Sequence, residues 1–450
     1  MKLPESFEAR MKEVLGVEYE DFSKSLGQKS TISIRLNPLK KIDKFNFEIG
    51  ESVKWNESGK YVKIKSEFAL DPNFYSGSYF VQEASSMFLS CALKQAIDFS
   101  KPLKVLDLCA DQGIQAALLA SLLKNSDLLV INESAKSKIS SIKENILKSG
   151  FPNYLISNQD PETFSDLEGF FDVVLVSAPC SEESMIRKNG VFKKDWSEEK
   201  VAINAAKQKR ILSAAGLLVA PGGHLIYCTN TFSPKENIEN AKWLTRTLDF
   251  NSVSLDVPKE WKIVEKEDTF QIYPHKMEGE GFFLAVFKQL GSDDRFVSGR
   301  IKLNRLPKNL KALLKPWIKA ELFDNYEFFT KNDGVVVALL ISLIEKYGSV
   351  FRALEKCTNG VEIGIFKGND FIPSHAVCFL DILDESMQKF EVKSEIALSF
   401  LRKEQFDTEG LKDGWALITY QNKNLGWIKK IGNRVNNYLP QDWKVRTSLD

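Results

Sequence analysis

The sequence predicts an α/β chain organised around a mostly parallel sheet, and three features carry that reading. Between residues 76 and 290, short apolar runs alternate with amphipathic stretches, the pattern of strand–helix–strand units. Each run begins after a polar or glycine-containing stretch and stops at a polar loop, as a strand covered on both faces does. On either side the pattern changes: residues 1–75 mix short helical and extended segments, and residues 384–450 read as a compact β-rich module.

The first segment includes TISIRLNPLK (Thr31 to Lys40), a strand that Pro38 should end, within a small α+β region. Four runs then anchor the sheet: PLKVLDLC (102–109), SDLLVINES (126–134), FFDVVLVSAP (170–179) and GGHLIYCTNTF (222–232). Helices are predicted between them, over 134–148 and 201–219 among others. Ligands of open parallel sheets bind beyond the carboxyl ends of the strands, so the residues closing these runs are the first candidates for a site.

Past the sheet, residues 291–319 read as a linker. Its stretch RFVSGRIKLNRLPKNLKALLKPWIK (295–319) holds eight bases and no acid, interleaved with Phe296 and Trp317. Such a run suits contact with a phosphate backbone, and it equally suits a solvated helix face; composition leaves both open. A mixed first C-terminal segment follows over 320–383. Its apolar run VVVALLISLI (335–344) is about half the length of a bilayer span, so a buried helix or strand is expected. The closing GWIKKIGNRVNNYLPQDWKVR is again basic.

Composition sets the outer limits. A hydrophobic fraction of 43% and a charged fraction of 27% belong to globular protein. Sixty-one Lys and Arg against 60 Asp and Glu leave a net charge of +1, so charge identifies a partner only through its distribution. The cysteines, Cys91, Cys109, Cys180, Cys228, Cys357 and Cys378, form no CxxC pair and no cluster with histidine. Reduced thiols are therefore expected, with neither a disulfide framework nor a metal site. The opening MKLPESFEARMKEVLG has no apolar core of signal length, which predicts a cytoplasmic protein without a membrane anchor.

Six motifs occur in order: GSYFVQEASSM (77–87), VLDLCADQGIQ (105–115), INES (131–134), FDVVLVSAPCSEESMIRK (171–188), LIYCTNTFSPKEN (225–237) and YPHKMEGEGFFLAVFK (273–288). Together they resemble the successive motifs of the Sun-type RNA cytosine-5 methyltransferases. The ending GWIKKIGNRVNNYLPQDWKV is similar to the C-terminal PUA-like module of the bacterial members acting on 16S rRNA. The resemblance implies a Rossmann-like class I methyltransferase domain (76–290), a small α+β N-terminal RNA-recognition region (1–75) and a β-rich PUA-like RNA-binding module (384–450). The basic linker (291–319) and a further rRNA-binding segment (320–383) lie between. It also implies S-adenosylmethionine as cofactor, RNA of the small ribosomal subunit as partner, no DNA, and a monomer.

At the chemical centre the sequence departs from that family. Cytosine C5 is a weak nucleophile, so these enzymes first add a cysteine thiolate to C6. The resemblance places that cysteine in a segment of the form YSTCTF, and here the segment reads Tyr227, Cys228, Thr229, Asn230, Thr231, Phe232. Asn230 stands at the nucleophile's position, and an amide cannot attack. A second family cysteine, in a DAPCSGEG-like loop, is kept as Cys180, but the loop's aspartate has become Ser177 and both glycines are gone. Two substitutes for the missing thiol are conceivable: Cys180 itself, and Cys228, which in extended chain would face the same way as Asn230.

The cofactor loop has changed as well. A CAAPGGK-like pattern reads Cys109, Ala110, Asp111, Gln112, Gly113, Ile114, Gln115, so one glycine survives and the lysine is absent. Asp111 is expected to bring an uncompensated negative charge towards the cofactor carboxylate. The resemblance assigns cofactor contacts to Asp107, Gly113, Glu133 and Asp160. It assigns RNA contacts, or basic character suits them, at Arg35, Asn37, Gln82, Arg187, Lys188, Arg300, Lys302, Arg305, Lys429, Lys430 and Arg434. Three functions follow as expectations: a non-catalytic rRNA-binding relative, alternatively an active 16S rRNA 5-methylcytosine methyltransferase using a non-standard cysteine, and a methyltransferase aimed at another atom that needs no covalent intermediate.

Overall fold

In the computed structural model, residues 3–63, 67–187, 196–291, 304–354, 357 and 360–446 are described. Two helices open the chain. The first, Glu5–Leu15, carries Glu5 and Glu8 in its first turn and Lys12 in its last, charges that complement the helix dipole. Phe7 and Met11, one helical turn apart, are buried against Phe22 of the second helix, Tyr19–Leu26, and against Trp196. A four-stranded antiparallel sheet follows, ordered Ile49–Ser52, Gly59–Val62, Ile32–Leu36, Tyr79–Val81. Because Tyr79–Val81 pairs with Ile32–Leu36, this sheet reaches past the boundary expected at 75.

The central sheet has nine strands. Parallel pairing joins Tyr154–Ser157, Leu128–Asn132, Lys104–Asp107, Phe171–Ser177 and Val219–Thr229 in that spatial order. Antiparallel strands Phe282–Gln289, Thr269–Ile272 and Val264–Lys266 complete one edge, and Phe250–Ser252 pairs with Phe282–Gln289. All four runs read as buried strands are strands of this sheet. Strand order reverses at Lys104–Asp107, which lies between the later strand Phe171–Ser177 and the earlier-branching Leu128–Asn132, so a crevice opens there. The helices predicted over 134–148 and 201–219 run from Ile139 to Ser149 and from Glu198 to Leu218. Ser197 caps the longer one by accepting the Lys200 amide.

Two smaller sheets make up the C-terminal third. One orders Asn304–Arg305, Tyr326–Thr330, Val335–Leu340, Val361–Lys367 and Asp370–Pro373, all antiparallel. The other orders Lys389–Glu391, Gly414–Tyr420, Lys423–Ile431 and Arg434–Asn437. The run 335–344 is a strand that breaks into a 3-10 turn (Ile341–Leu343) before the helix Ile344–Ala353.

The stretch expected to be a linker is corrected over 304–319. Asn304 and Arg305 join the five-stranded sheet, Leu306, Leu314 and Ile318 are buried, and Trp317 packs edge-on against Phe371 and Trp427. Apolar residues spaced among the bases are what fold it in, a pattern that charge counting hides. Residues 292–303, with Arg300 and Lys302, lie outside the described residues, as does Lys188.

The N-terminal region, the central domain and the C-terminal module meet around Lys148. Its ammonium pairs with Glu144 and lies over the faces of Phe74 at 4.2 Å, Tyr75 at 5.1 Å and Trp443 at 5.3 Å. Lys40 donates to the carbonyls of Ser76 (2.7 Å) and Lys148 (2.8 Å), closing a helix end. Gly77 sits at φ +71°, and a Cβ there would lie 2.1 Å from the Lys148 carbonyl oxygen.

Candidate active site

A pocket of about 330 Å³ opens at the carboxyl ends of the parallel strands. Five of the six sequence motifs line it: Gln82, Glu83 and Ser86 from the first, Asp111, Ile114 and Gln115 from the cofactor loop, Ser177, Ser184 and Met185 from the next, Asn230, and Glu280 with Gly281. Motifs some 200 residues apart in sequence thus converge on one cleft.

Asn230 follows the strand Val219–Thr229 and reaches the pocket wall. Its backbone is fixed, the carbonyl accepting from Ser184 N at 3.0 Å and the amide donating to the Cys180 sulfur. Its side-chain amide makes no hydrogen bond among the described residues. Cys228 is fully buried in the hydrophobic core, between the paired strand positions Ser177 and Leu284. Burial pushes its thiol up to about 12, which disfavours the thiolate, and Cys228 is not among the residues lining the pocket. Cys180 is half-buried. Desolvation and the Glu236 carboxylate push its thiol up, against the opposing pull of amides from Glu182 and Asn230.

In the cofactor loop, Gly113 adopts φ +82° and opens the short helix Ile114–Ala120. A Cβ on it would press to 3.0 Å on the Ile142 backbone, which explains why this one glycine persists. Asp111 sits at φ +52°, unusual for a residue with a side chain. Its charge, expected to be uncompensated, is paired with Lys138 at 2.6 Å, a cation the sequence reading did not consider. Gln115 accepts from Gln82 at 3.3 Å, joining the loop to the N-terminal motif.

Glu133 closes its strand as expected, and its two carboxylate oxygens accept the amides of Asp111 (2.9 Å) and Ala135 (2.8 Å). Asp107 is fully buried, and neither of its oxygens has a hydrogen-bond partner of good geometry among the described residues. Burial, with the nearby Glu133 charge, pushes its carboxyl up to about 8. Asp160 is not at the pocket. Its side chain caps a 3-10 helix by accepting Glu162 N at 3.1 Å and faces Arg210 at 3.7 Å.

Behind the pocket stands a set of carboxylates that sequence reasoning missed. Glu183, fully buried, accepts from Arg10 (2.5 Å), Trp196 (2.9 Å) and the Phe232 amide (3.1 Å). The N-terminal helix thereby braces both the Cys180 loop and the Asn230 loop. Glu236 accepts from Ser181 N (3.0 Å), Ser181 Oγ (2.5 Å) and Gln208 (2.8 Å), and burial pushes its carboxyl up to about 7. Asn237 accepts from Thr229 (2.6 Å) and donates to the Thr231 carbonyl (2.9 Å), clamping the loop around Asn230. The available signal was the polar cluster Lys235-Glu236-Asn237 inside a quoted motif.

Several expected RNA contacts are corrected. Arg35 is 2% exposed, bonded to Gln82 at 2.7 Å and to Ser121 at 3.4 Å, and lies over the Phe80 ring. Asn37 is buried, donating to the carbonyls of Gly77 (2.9 Å) and Ser149 (3.1 Å). Arg187 is buried in an ion pair with Glu280 at 2.7 Å. These three groups are enclosed by protein and cannot reach a phosphate in this conformation. Gln82 is buried too, but at the pocket wall. By contrast Arg305 and Arg434 are exposed, while Lys429 and Lys430 are half-buried on the C-terminal sheet. Among the described residues no group of three or more His, Cys, Asp or Glu is placed to hold a metal ion, and no helix is long and apolar enough to cross a membrane.

Three family models match in chain order: the N-terminal domain of 16S rRNA methyltransferase RsmF over residues 3–84, 16S rRNA methyltransferase RsmB/F over 95–288, and the methyltransferase RsmF PUA domain over 387–445. The ribosomal RNA small subunit methyltransferase F of Vibrio vulnificus (strain YJ016) is 27% identical, covering 98% of this chain and 97% of the relative. That of Cronobacter sakazakii (strain ATCC BAA-894) is 25% identical, with 98% and 96% covered. Among solved structures, PH0851 superposes with a TM-score of 0.59 at 28% identity, over 64% of this chain and 66% of that one. NSun6 from Pyrococcus horikoshii with SFG gives 0.55 at 18% identity, over 64% and 99%, which speaks to the fold alone.

Proposed function

The chain belongs to the 16S rRNA methyltransferase RsmB/F family, and from that membership we propose that it binds small-subunit ribosomal RNA as a monomer without methylating it. The observation that carries this reading is Asn230 on the pocket wall, with Cys228 sealed in the core. Attack on C6 needs a thiolate within reach of the base, and a carboxamide neither ionises nor adds to the ring. The exposed bases Arg305 and Arg434, with Lys429 and Lys430, supply positive charge for a phosphate backbone on the C-terminal sheets.

Family membership implies S-adenosylmethionine as methyl donor. Glu133 is the residue the family pattern assigns to the ribose hydroxyls, and here its carboxylate oxygens accept the amides of Asp111 and Ala135; the methionine end finds little complement either. Ile114 forms the wall in place of a glycine, Gln115 is bonded to Gln82, and Lys138 is already engaged by Asp111. The residues present therefore do not fit the carboxylate-bearing end of that cofactor. Calorimetric titration of S-adenosylmethionine into about 50 µM protein should give no saturable heat, and tight binding at micromolar level would overturn this part of the reading.

The alternative of an active enzyme would fall to Cys180, whose thiol burial pushes up while the backbone amides of Glu182 and Asn230 pull against that shift. The two readings separate in one experiment. Incubation with 5-fluorocytosine-substituted 16S rRNA and S-adenosylmethionine should leave no covalent adduct, while retention of the RNA on the protein under native conditions should persist. An adduct lost in Cys180→Ser would establish the alternative.

A further inference from the structure

A second cleft, of about 830 Å³, lies where the N-terminal region, the central domain and the C-terminal third meet, and it shares no lining residue with the pocket described above. We propose that it docks a basic protein segment that inserts aliphatic side chains. The helix Ile139–Ser149 ends at Gly150, whose φ of +80° turns the chain and brings Phe151 to the cleft, where Leu380 and Ile382 complete a hydrocarbon floor. Two further aliphatic side chains stand at the same cleft in solvent, Leu39 at 69% exposure and Ile341 at 50%. Their backbones hold them there. The Leu39 amide donates to Asn37 Oδ1 at 3.0 Å, and the Ile341 amide donates to the Asn325 carbonyl at 3.0 Å. A lone exposed leucine needs no explanation, but two such side chains from separate units beside one apolar cleft mark a surface for a partner.

Charge decides the class of partner. Among the described residues no Lys, Arg or His lines the cleft, whereas two carboxylates, Asp324 and Asp381, do. Asp324 has no ion-pair partner among the described residues. Asp381 pairs with Lys319 at 2.7 Å, yet its side chain is 97% exposed and stays open to a second cation. A phosphate backbone or an acidic segment would be repelled here, while ammonium and guanidinium groups would be attracted. An amphipathic segment with aliphatic side chains on one face and bases on the other satisfies both the floor and the rim. This docking is independent of the chemistry at Asn230.

The test is fluorescence anisotropy on the full-length chain with three labelled dodecapeptides: leucine and lysine at helical spacing, the same with every lysine replaced by glutamate, and the same with every leucine replaced by serine. The leucine–lysine peptide should saturate the protein at micromolar level, and each of the other two should bind at least about tenfold more weakly. Leu39→Ser combined with Ile341→Ser should weaken the leucine–lysine peptide about tenfold, and Asp324→Asn about threefold. Because these side chains are exposed, the melting temperature of both variants should stay within about 1 °C of the parent. Ile431→Ser, which removes an exposed aliphatic side chain from the strand Lys423–Ile431, should leave binding unchanged. No saturable binding, equal binding of the lysine and glutamate peptides, or an effect of Ile431→Ser as large as that of the double variant overturns the proposal. Loss of 16S rRNA retention in the double variant would assign the cleft to RNA instead. A dimer in sedimentation that the double variant dissociates would assign it to a second copy of this chain, and either result overturns the basic segment as occupant.

Discussion

The wall of the pocket and the frame behind it differ in what their polar side chains face. Along the wall, three positions where the family pattern places a reactive or charged group carry neutral ones: Asn230, Ser177 and Gln115. In the frame, Glu183 with Arg10 and Glu236 with Gln208 and Ser181, and at its edge on the pocket lining Glu280 with Arg187, are buried and hydrogen-bonded. The difference follows from energetics. A buried carboxylate that loses its partner destabilises the whole domain, whereas an exposed wall residue can lose its reactivity at almost no loss of stability.

The comparison breaks most visibly at the frame. Glu280→Ala would strand the buried Arg187 guanidinium, and a loss of about 3–5 kcal/mol is expected, seen as a drop of roughly 10 °C in the first thermal transition. A drop of less than a degree would mean that the frame is not the stabilising element inferred here.

Asp107 is the exception that sharpens the contrast, a framed carboxylate with no hydrogen-bond partner of good geometry among the described residues. Its carboxyl is raised from 3.8 to about 8, so the folded protein holds the proton more tightly than the unfolded chain. The stability contribution is full below about pH 4 and is lost as pH rises towards 8. Asp107→Asn removes the charge that burial disfavours, so it should raise the melting temperature by about 5 °C at pH 8.5 and by much less at pH 5. An equal effect at both pH values would contradict the assignment.

At the unit junction, Lys148→Met keeps the aliphatic stem but removes the charge over Phe74, Tyr75 and Trp443. A loss of about 1 kcal/mol is expected, with faster proteolysis between the central domain and the C-terminal module. Unchanged cleavage kinetics would show that apolar packing alone holds the units together.

The wall should be the most tolerant. Asn230→Cys should change stability by less than about 0.5 kcal/mol, and mass spectrometry of 16S rRNA should find no new 5-methylcytosine, because Ser177, Ile114 and Gln115 remain. Methylation by the single variant would show that the altered loop still accepts the donor and would narrow the loss to one residue.

Much of the fold was legible in the sequence because its signals are local. The four apolar runs, their polar stops and the glycine at 113 fix strands and a turn whatever surrounds them. The motif order placed Gln82, Asp111, Ser177 and Asn230 at one cleft. Less legible was what each polar residue faces. Arg35, Asn37 and Arg187 have the composition of RNA contacts, yet they are enclosed, since a guanidinium or amide serves a buried carbonyl as readily as a phosphate. The bases of 304–319 read as a linker because charge was counted without the spacing of Leu306, Leu314 and Ile318.

By itself, then, the sequence determined the order of elements and the stretches of chain that line the pocket, properties carried by a few neighbours. Only the tertiary structure decided that Cys228 is sealed in the core, that Lys138 answers Asp111, and that Arg10 braces Glu183 across more than 170 residues. Burial and pairing depend on which distant segments arrive at the same place, and a side chain's reactivity is set by that company more than by its own chemistry.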